Sequence, residues 1–395
     1  MLVDELAAAG EAGPIVRRTR PQITRRHLEV VLGALWLLDG ALQLQPHNFT
    51  PGFFASILGM ANMGLPGPAS TADYHLARVL ADHPGAWNAL FASLQLVLGA
   101  GLLWSRTARW ARAGSVPWAL GVWVVGEGFG GVFMGGTSLL TGAPGAALLY
   151  AVIAVLLCPM RPGRAQARVA LGAWAAVWFG SALLEFGATN HTATVPAAQI
   201  RNTAAGQWRL MRIANDAVAR LVAGDGAAFA VVLGLVGAAI GLGVLYPRAR
   251  RAALIAGAAV GALAGVVGQD LGLIFSGQAT DPGSGPLLVL MALAVTVATA
   301  PLADRGRRMG GARRPSRHLV PGITRLIDVG PATGRSRRSP LRHGPWKPGR
   351  PPLGIGYTLS HVPTKRLSNQ LIRTRRVVTN TALNTRPSWS RTAMR

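Results

Sequence analysis

The sequence predicts an all-α protein, a polytopic membrane helix bundle of about eight transmembrane helices arranged as two parallel four-helix repeats. Three observations carry that prediction. Half of the residues are apolar and 14% are charged, against roughly a quarter charged in an ordinary soluble domain, so the chain lacks the polar surface to enclose a core in water. Apolar stretches of about 17 to 20 residues recur through the first 303 positions, each long enough at about 1.5 Å per residue to cross a hydrocarbon layer of about 30 Å. Displacing the chain by 142 residues lays its first half on its second.

The spans fall near 28–46, 86–104, 116–134, 143–160, 168–187, 227–246, 252–274 and 285–303. The first contains Asp39, follows Arg25 and Arg26, and has no convincing small-residue cleavage site behind it. It reads as a retained helix, not a signal peptide. Arginine placement sets the orientation, because cytoplasmic loops near helix ends hold an excess of basic residues. Arg17, Arg18, Arg20, Arg25 and Arg26 precede the first span; Arg106, Arg109 and Arg112 follow the second; Arg161, Arg164 and Arg168 follow the fourth; Arg248, Arg250 and Arg251 follow the sixth. With eight spans these segments share one side, so the protein is expected in the cell membrane with both termini cytoplasmic. The outer side carries fewer arginines, among them Arg78, Arg201 and Arg220, accompanied by Asp73, Asp82, Asp216 and Asp225.

Four regions follow: a cytoplasmic segment 1–27, a first membrane repeat 28–160, a second membrane repeat 161–303 and a tail 304–395. The tail holds 21 of the 40 basic residues and two acids, Asp304 and Asp328, a net +19 of the chain's +25. That concentration locates the charge outside the membrane core. Rich in Pro, Gly, Ser and Arg and without a sustained period, the tail reads as disordered and cytoplasmic, able to touch anionic lipid headgroups. No recognised nucleic-acid-binding module accompanies the charge, so specific nucleic-acid binding is not expected.

The displacement by 142 runs without a gap from 77 to 136, where 16 of 60 positions are identical. Arg78 falls on Arg220, Gly99 on Gly241, Arg106 on Arg248, Arg109 on Arg251 and Phe133 on Phe275; outside that stretch Trp36 falls on Trp178 and Gln43 on Glu185. Matched arginines and a matched Phe are not explained by the abundance of Gly and Ala. Four spans per unit is an even number, so both units enter the membrane the same way up, as parallel repeats. The run Leu32-Gly33-Ala34-Leu35-Trp36-Leu37-Leu38-Asp39-Gly40, followed by Gly99-Ala100-Gly101-Leu102-Leu103 and Arg106, resembles the DoxX-like four-helix membrane module. The resemblance covers 28–303 as two modules. It implies a fold, and for function it implies a redox- or quinone-associated membrane component.

Ionisable groups inside spans cost roughly 2.5 to 3.5 kcal/mol on insertion scales and usually face protein or water. The candidate polar site therefore comprises Asp39 in the first span, Glu127 in the third, Glu185 toward the outer end of the fifth, and Gln269 with Asp270 in the seventh. The displacement pairs Glu127 with Gln269, next to Asp270, which points to a shared pocket in the outer half of the bilayer. Equally open is a packing role, with carboxyls hydrogen-bonded between helices that glycines bring close.

The other chemistry-bearing residues narrow the field. Cys158 is the lone cysteine, which excludes an intrachain disulfide and a CxxC pair. No histidine lies at mid-membrane, so a bis-histidine haem is unsupported, and His47, Met60, Met63, His75 and His83 are too irregularly spaced to read as a metal site. No nucleophile–base pair in 304–395 argues for a soluble catalytic domain, no catalytic residue is assigned, and the residues name no cofactor. Residues 208–222 and 74–80 have the period of amphipathic interfacial helices. Three classes remain: a DoxX-like redox- or quinone-associated component, a carrier or channel for a small solute or protons, and a structural membrane subunit.

In the expected topology, cysteine introduced as Arg109→Cys or Arg164→Cys is shielded from a membrane-impermeant maleimide in intact cells. Strong external labelling at either position overturns the orientation.

Overall fold

The computed structural model describes residues 23–159, 163–203 and 207–311. These form twelve α-helices and contain no strand. In chain order they are α1 (Arg25–Gln43), α2 (Pro51–Ala61), α3 (Gly67–Asp82), α4 (Pro84–Leu103), α5 (Ala108–Val125), α6 (Ala146–Leu156), α7 (Arg164–Glu185), α8 (Val195–Thr203), α9 (Arg209–Val222), α10 (Gly226–Gly243), α11 (Arg250–Val266) and α12 (Ser284–Gly311). Three of them, α4, α7 and α10, are long and apolar enough to cross a membrane. α6 is equally apolar but has only 11 residues, a length of about 17 Å. α1 carries Arg25, Arg26, Glu29 and Asp39, which lowers its hydropathy.

Local chemistry explains where helices begin and end. Thr24 caps α1, its hydroxyl accepting from the His27 amide while His27 Nδ1 accepts from the Thr24 amide. α5 starts at Ala108, ahead of the expected 116, and so takes Arg109 and Arg112 into the helix. It ends at Val125, short of the expected 134, because the next stretch turns left-handed: φ is +52° at Gly128, +60° at Phe129, +67° at Gly130 and +70° at Gly131. L-residues do not propagate a helix in that region. α11 likewise ends at Val266 and not near 274, with φ of +46°, +53°, +67° and +62° at Asp270, Leu271, Gly272 and Leu273. The expectation that Glu127, Gln269 and Asp270 lie within helical spans is thus corrected: all three sit in turns beyond helix ends.

The two halves share a spacing. α3, α4 and α5 begin at 67, 84 and 108, and α9, α10 and α11 begin at 209, 226 and 250, each 142 residues on. The left-handed residues 128–131 and 135 recur at 270–273 and 277 with the same displacement. Short α2 and α8 were not anticipated. α9 fills the expected amphipathic segment, burying Asn215, Ala219 and Val222 and exposing Leu210, Ile213 and Leu221. α12 continues to Gly311, past the expected end of the last span at 303. Most of the expected tail, 312–395, and most of the N-terminal segment, 1–22, lie outside the described residues.

Packing rests on close helix pairs: α1 on α4, α7 on α10, α5 on α6, and α11 on α12. Glycine allows the approach. A Cβ on Gly99 would stand 2.7 Å from Leu37 Cγ and 2.8 Å from the Gly33 carbonyl oxygen, so α1 and α4 touch backbone to backbone there. The core between the pairs holds Trp174, Trp178, Tyr150, Leu149, Ile153, Leu287 and Leu288, all buried. Outward faces are also apolar: Leu90 and Val97 on α4, Val232 and Leu235 on α10, and Ile255 and Leu263 on α11 are each more than half exposed.

Gly99→Leu is expected to destabilise the detergent-solubilised protein by about 1–3 kcal/mol through overpacking, whereas Gly172→Leu, with open space around its Cα, is tolerated. Equal melting temperatures for the two variants would refute the backbone contact between α1 and α4.

Candidate functional site

α1 turns Trp36, Asp39 and Gln43 toward one side, a helical spacing of three and then four residues, and all three are buried there. α6 brings Tyr150 against Trp36, the rings stacked with centroids 4.2 Å apart. Between these helices and α2, α4 and α5 lies a cavity of about 520 Å³, within the range of small-molecule sites. Its walls are mainly apolar and aromatic, with Phe53 and Phe54 from α2, Trp87 and Phe91 from α4, and Trp118 from α5. Phe91 packs on Trp118 at 5.3 Å and on Phe54 at 6.1 Å. Asp39, Glu127, Asp281 and Tyr150 bring polar chemistry to this apolar space.

Glu127 is held by the chain that follows it. One carboxyl oxygen, Oε1, accepts from the Ala147 amide at 2.9 Å in the first turn of α6, a donor that the helix itself leaves without a partner. The other, Oε2, is buried without a hydrogen-bond partner. Gly145 makes room for it: φ there is +106°, and a Cβ would fall 2.1 Å from Oε2. Asp281 sits in the turn before α12, where Oδ1 accepts from the Gly283 amide at 2.8 Å and Oδ2 from the Thr280 hydroxyl at 2.9 Å. Burial pushes its carboxyl above the usual aspartate range, against those two hydrogen bonds.

Among the described residues, six buried polar atoms of this cavity's lining have no hydrogen-bond partner of good geometry: Trp36 Nε1, Asp39 Oδ1, Gln95 Oε1, Trp118 Nε1, Glu127 Oε2 and Tyr150 Oη, with the Asp39 carboxyl and the Tyr150 hydroxyl beside one another. Buried polar atoms are ordinarily satisfied, so a cluster of orphans around one space marks a place for a guest or for water. A second, more polar cavity of about 620 Å³ adjoins the first, lined by Thr137, Thr141, Gln199, Gln269, Ser284 and glycine backbone. Glu127 and Asp281 line both.

The structure brings Asp39 and Glu127 to the first cavity and Glu127 and Gln269 to the second. Gln269 Oε1 accepts from the Ser284 amide at 2.9 Å and the Gly285 amide at 3.3 Å, so it caps α12 as Glu127 caps α6. Its Nε2 donates to the Leu139 carbonyl at 3.1 Å, while Glu185 accepts from the Leu139 amide at 2.7 Å; the two side chains clasp one residue. Glu185 lines neither cavity. Asp270 also lines neither: its Oδ1 accepts from Asn215 of α9 at 2.7 Å, and Asn215 in turn accepts from the Gly268 amide at 3.0 Å. Of the pocket expected for Glu127 with Gln269 and Asp270, Glu127 and Gln269 share the second cavity, while Asp270 is turned away because the left-handed turn after α11 points it at α9.

Three residues escaped the sequence reading. Glu29, inside the expected first span, pairs with Arg25, Arg26 and Arg112 at 3.3, 3.2 and 2.5 Å; the criterion that selected Asp39 would have found it. Tyr150 was visible as a polar aromatic within the fourth span. Asp281 gave no signal, since it lies in a loop and reaches the cavity only through the fold. No family model matches this chain, and no curated protein or solved structure matches it.

Glu127→Leu is expected to lower stability by about 1–3 kcal/mol by leaving the α6 amide unsatisfied, while Glu127→Gln, which keeps the accepting oxygen, melts close to wild type. Wild-type stability in the Leu variant would show that the cap is dispensable.

Proposed function

We propose that this protein is a multi-pass membrane component that binds a lipophilic small molecule, with a hydrogen-bonding head, in the cavity between α1, α2, α4, α5 and α6. The observation that carries this reading is the set of six unpartnered buried polar atoms around one aromatic space. An apolar body accounts for the walls, and a polar head accounts for the orphans.

The membrane part of the proposal is supported by α4, α7 and α10 and by the apolar outward faces of α4, α10 and α11, which lipid would cover. Eight spans follow if α1, α5, α6, α11 and α12 cross beside them. The recurrence of helix starts, left-handed turns and capping residues at a displacement of 142 supports two parallel four-helix modules and, with them, the DoxX-like resemblance. Arg26, which donates to the Leu102 carbonyl at 2.8 Å, and Arg112 meet at Glu29, which supports one shared basic side and hence cytoplasmic termini.

Within this reading a quinone is the ligand class that the resemblance names, and its apolar tail suits the aromatic walls. The adjoining polar cavity favours a second reading, a carrier for a small solute or protons, with Glu127 and Asp281 at the junction.

Gly121 lines the cavity and a Cβ there would meet open space, so Gly121→Phe should fill the site without disturbing the fold. A short-chain ubiquinone is expected to quench the fluorescence of the purified wild type saturably and that of Gly121→Phe only weakly. Identical, non-saturating responses would remove the binding site.

A further inference from the structure

We propose that the head group this cavity selects is cationic, so that its ligand class is the lipophilic organic cation. The inference rests on the ligand-binding reading above and specifies the charge of the guest. It begins from the residues lining the space: Asp39, Glu127 and Asp281 are acidic, and among the described residues no Arg, Lys or His lines it with them.

One buried acid of this chain is matched by ion pairs from within. Glu29, 4% exposed, is surrounded by Arg25, Arg26 and Arg112. Asp39 lies further along the same helix and is 2% exposed, yet it has no ion pair among the described residues, and its Oδ1 has no hydrogen-bond partner. Glu127 Oε2 is in the same condition. A carboxylate buried without a counter-charge is costly, and a cation entering the cavity supplies the counter-charge.

The walls agree with that assignment. Trp36, Trp87, Trp118 and Phe91 surround the space with aromatic rings, whose electron-rich faces attract an alkylammonium, phosphonium or delocalised organic cation and accommodate its apolar substituents. A cavity of about 520 Å³ accepts a guest of several rings. By contrast, a quinone carbonyl can accept from Trp36 Nε1, Trp118 Nε1 or Tyr150 Oη but brings no charge to balance Asp39 or Glu127.

The experiment measures equilibrium binding of two probes of similar size to the full-length protein in a neutral detergent: tetraphenylphosphonium and the uncharged triphenylphosphine oxide. The cation is expected to bind saturably and about tenfold or more tightly than the neutral probe, a difference of about 1.4 kcal/mol or more. Replacing the two acids that carry an unpartnered oxygen, Asp39→Asn with Glu127→Gln, is expected to reduce that preference severalfold, with an unchanged helical circular-dichroism spectrum reporting that the variant is folded. Gly121→Phe should block both probes. Equal affinity of the wild type for the two probes overturns the proposal without needing any variant to fold, as does a cation preference undiminished by removal of both carboxyls. Saturable binding of the neutral probe or of the quinone alone would leave the cavity a ligand site and remove its charge selectivity. If none of the three molecules binds, the ligand-binding reading falls together with the proposal.

Discussion

The amide groups at the start of a helix need acceptors, and in this bundle two side chains from preceding turns supply them. Glu127 closes the α6 N-terminus and Gln269 closes that of α12. Without such acceptors, the irregular segments between α5 and α6 and between α11 and α12 would bury unpaired backbone donors. Because those caps are made, the chain can leave a helix, turn through left-handed residues and re-enter a helix within the protein interior. The space beneath the first of these turns is the cavity. Its polar corner exists because one oxygen of Glu127 is used by the cap and the other is not.

The glycines serve this arrangement in two ways. Gly99 permits backbone contact between α1 and α4, which fixes the wall carrying Trp36 and Asp39. Gly130, with φ of +67°, lies where a Cβ would stand 2.1 Å from the Pro144 carbonyl oxygen, so the turn after α5 presses directly on the segment leading into α6. In the second half the corresponding left-handed stretch contains Asp270, Leu271 and Leu273, which adopt it at some conformational cost. There the compensation includes Asn215 of α9, whose amide group joins Asp270 to the Gly268 backbone.

Buried charge is handled differently at the two ends of α1. At its start Glu29 is matched by three arginines, two of them from the same helix and one from α5. Deeper in, Asp39 faces aromatic rings and other acids. This contrast within a single helix separates an acid that organises the bundle from one free to meet a guest. It also explains why counting ionisable residues inside spans was an incomplete guide: the count does not distinguish acids with partners from acids without them.

The all-helical class, the apolar character, the approximate position of each long helix and the spacing of 142 were written in the sequence, because periodicity, apolar length and self-similarity are properties of residue order. The amphipathic segment ending at Val222 and the candidacy of Asp39 and Glu127, which the structure places on one cavity, were legible for the same reason. Helix ends beside the glycine runs were not, since the left-handed turns at 128–131 and 270–273 depend on what the returning chain presses against. Only the tertiary structure decided which polar groups meet. Asp281 reaches the first cavity from a loop more than 150 residues away from Glu127 in sequence, Tyr150 arrives on a helix opposite α1, and Asp270, adjacent to Gln269 in the chain, is turned away to α9. Residue order specifies which side chains carry chemistry, but their encounter is set by helix crossings and turns, where one residue of rotation sends a carboxyl into a cavity or away from it.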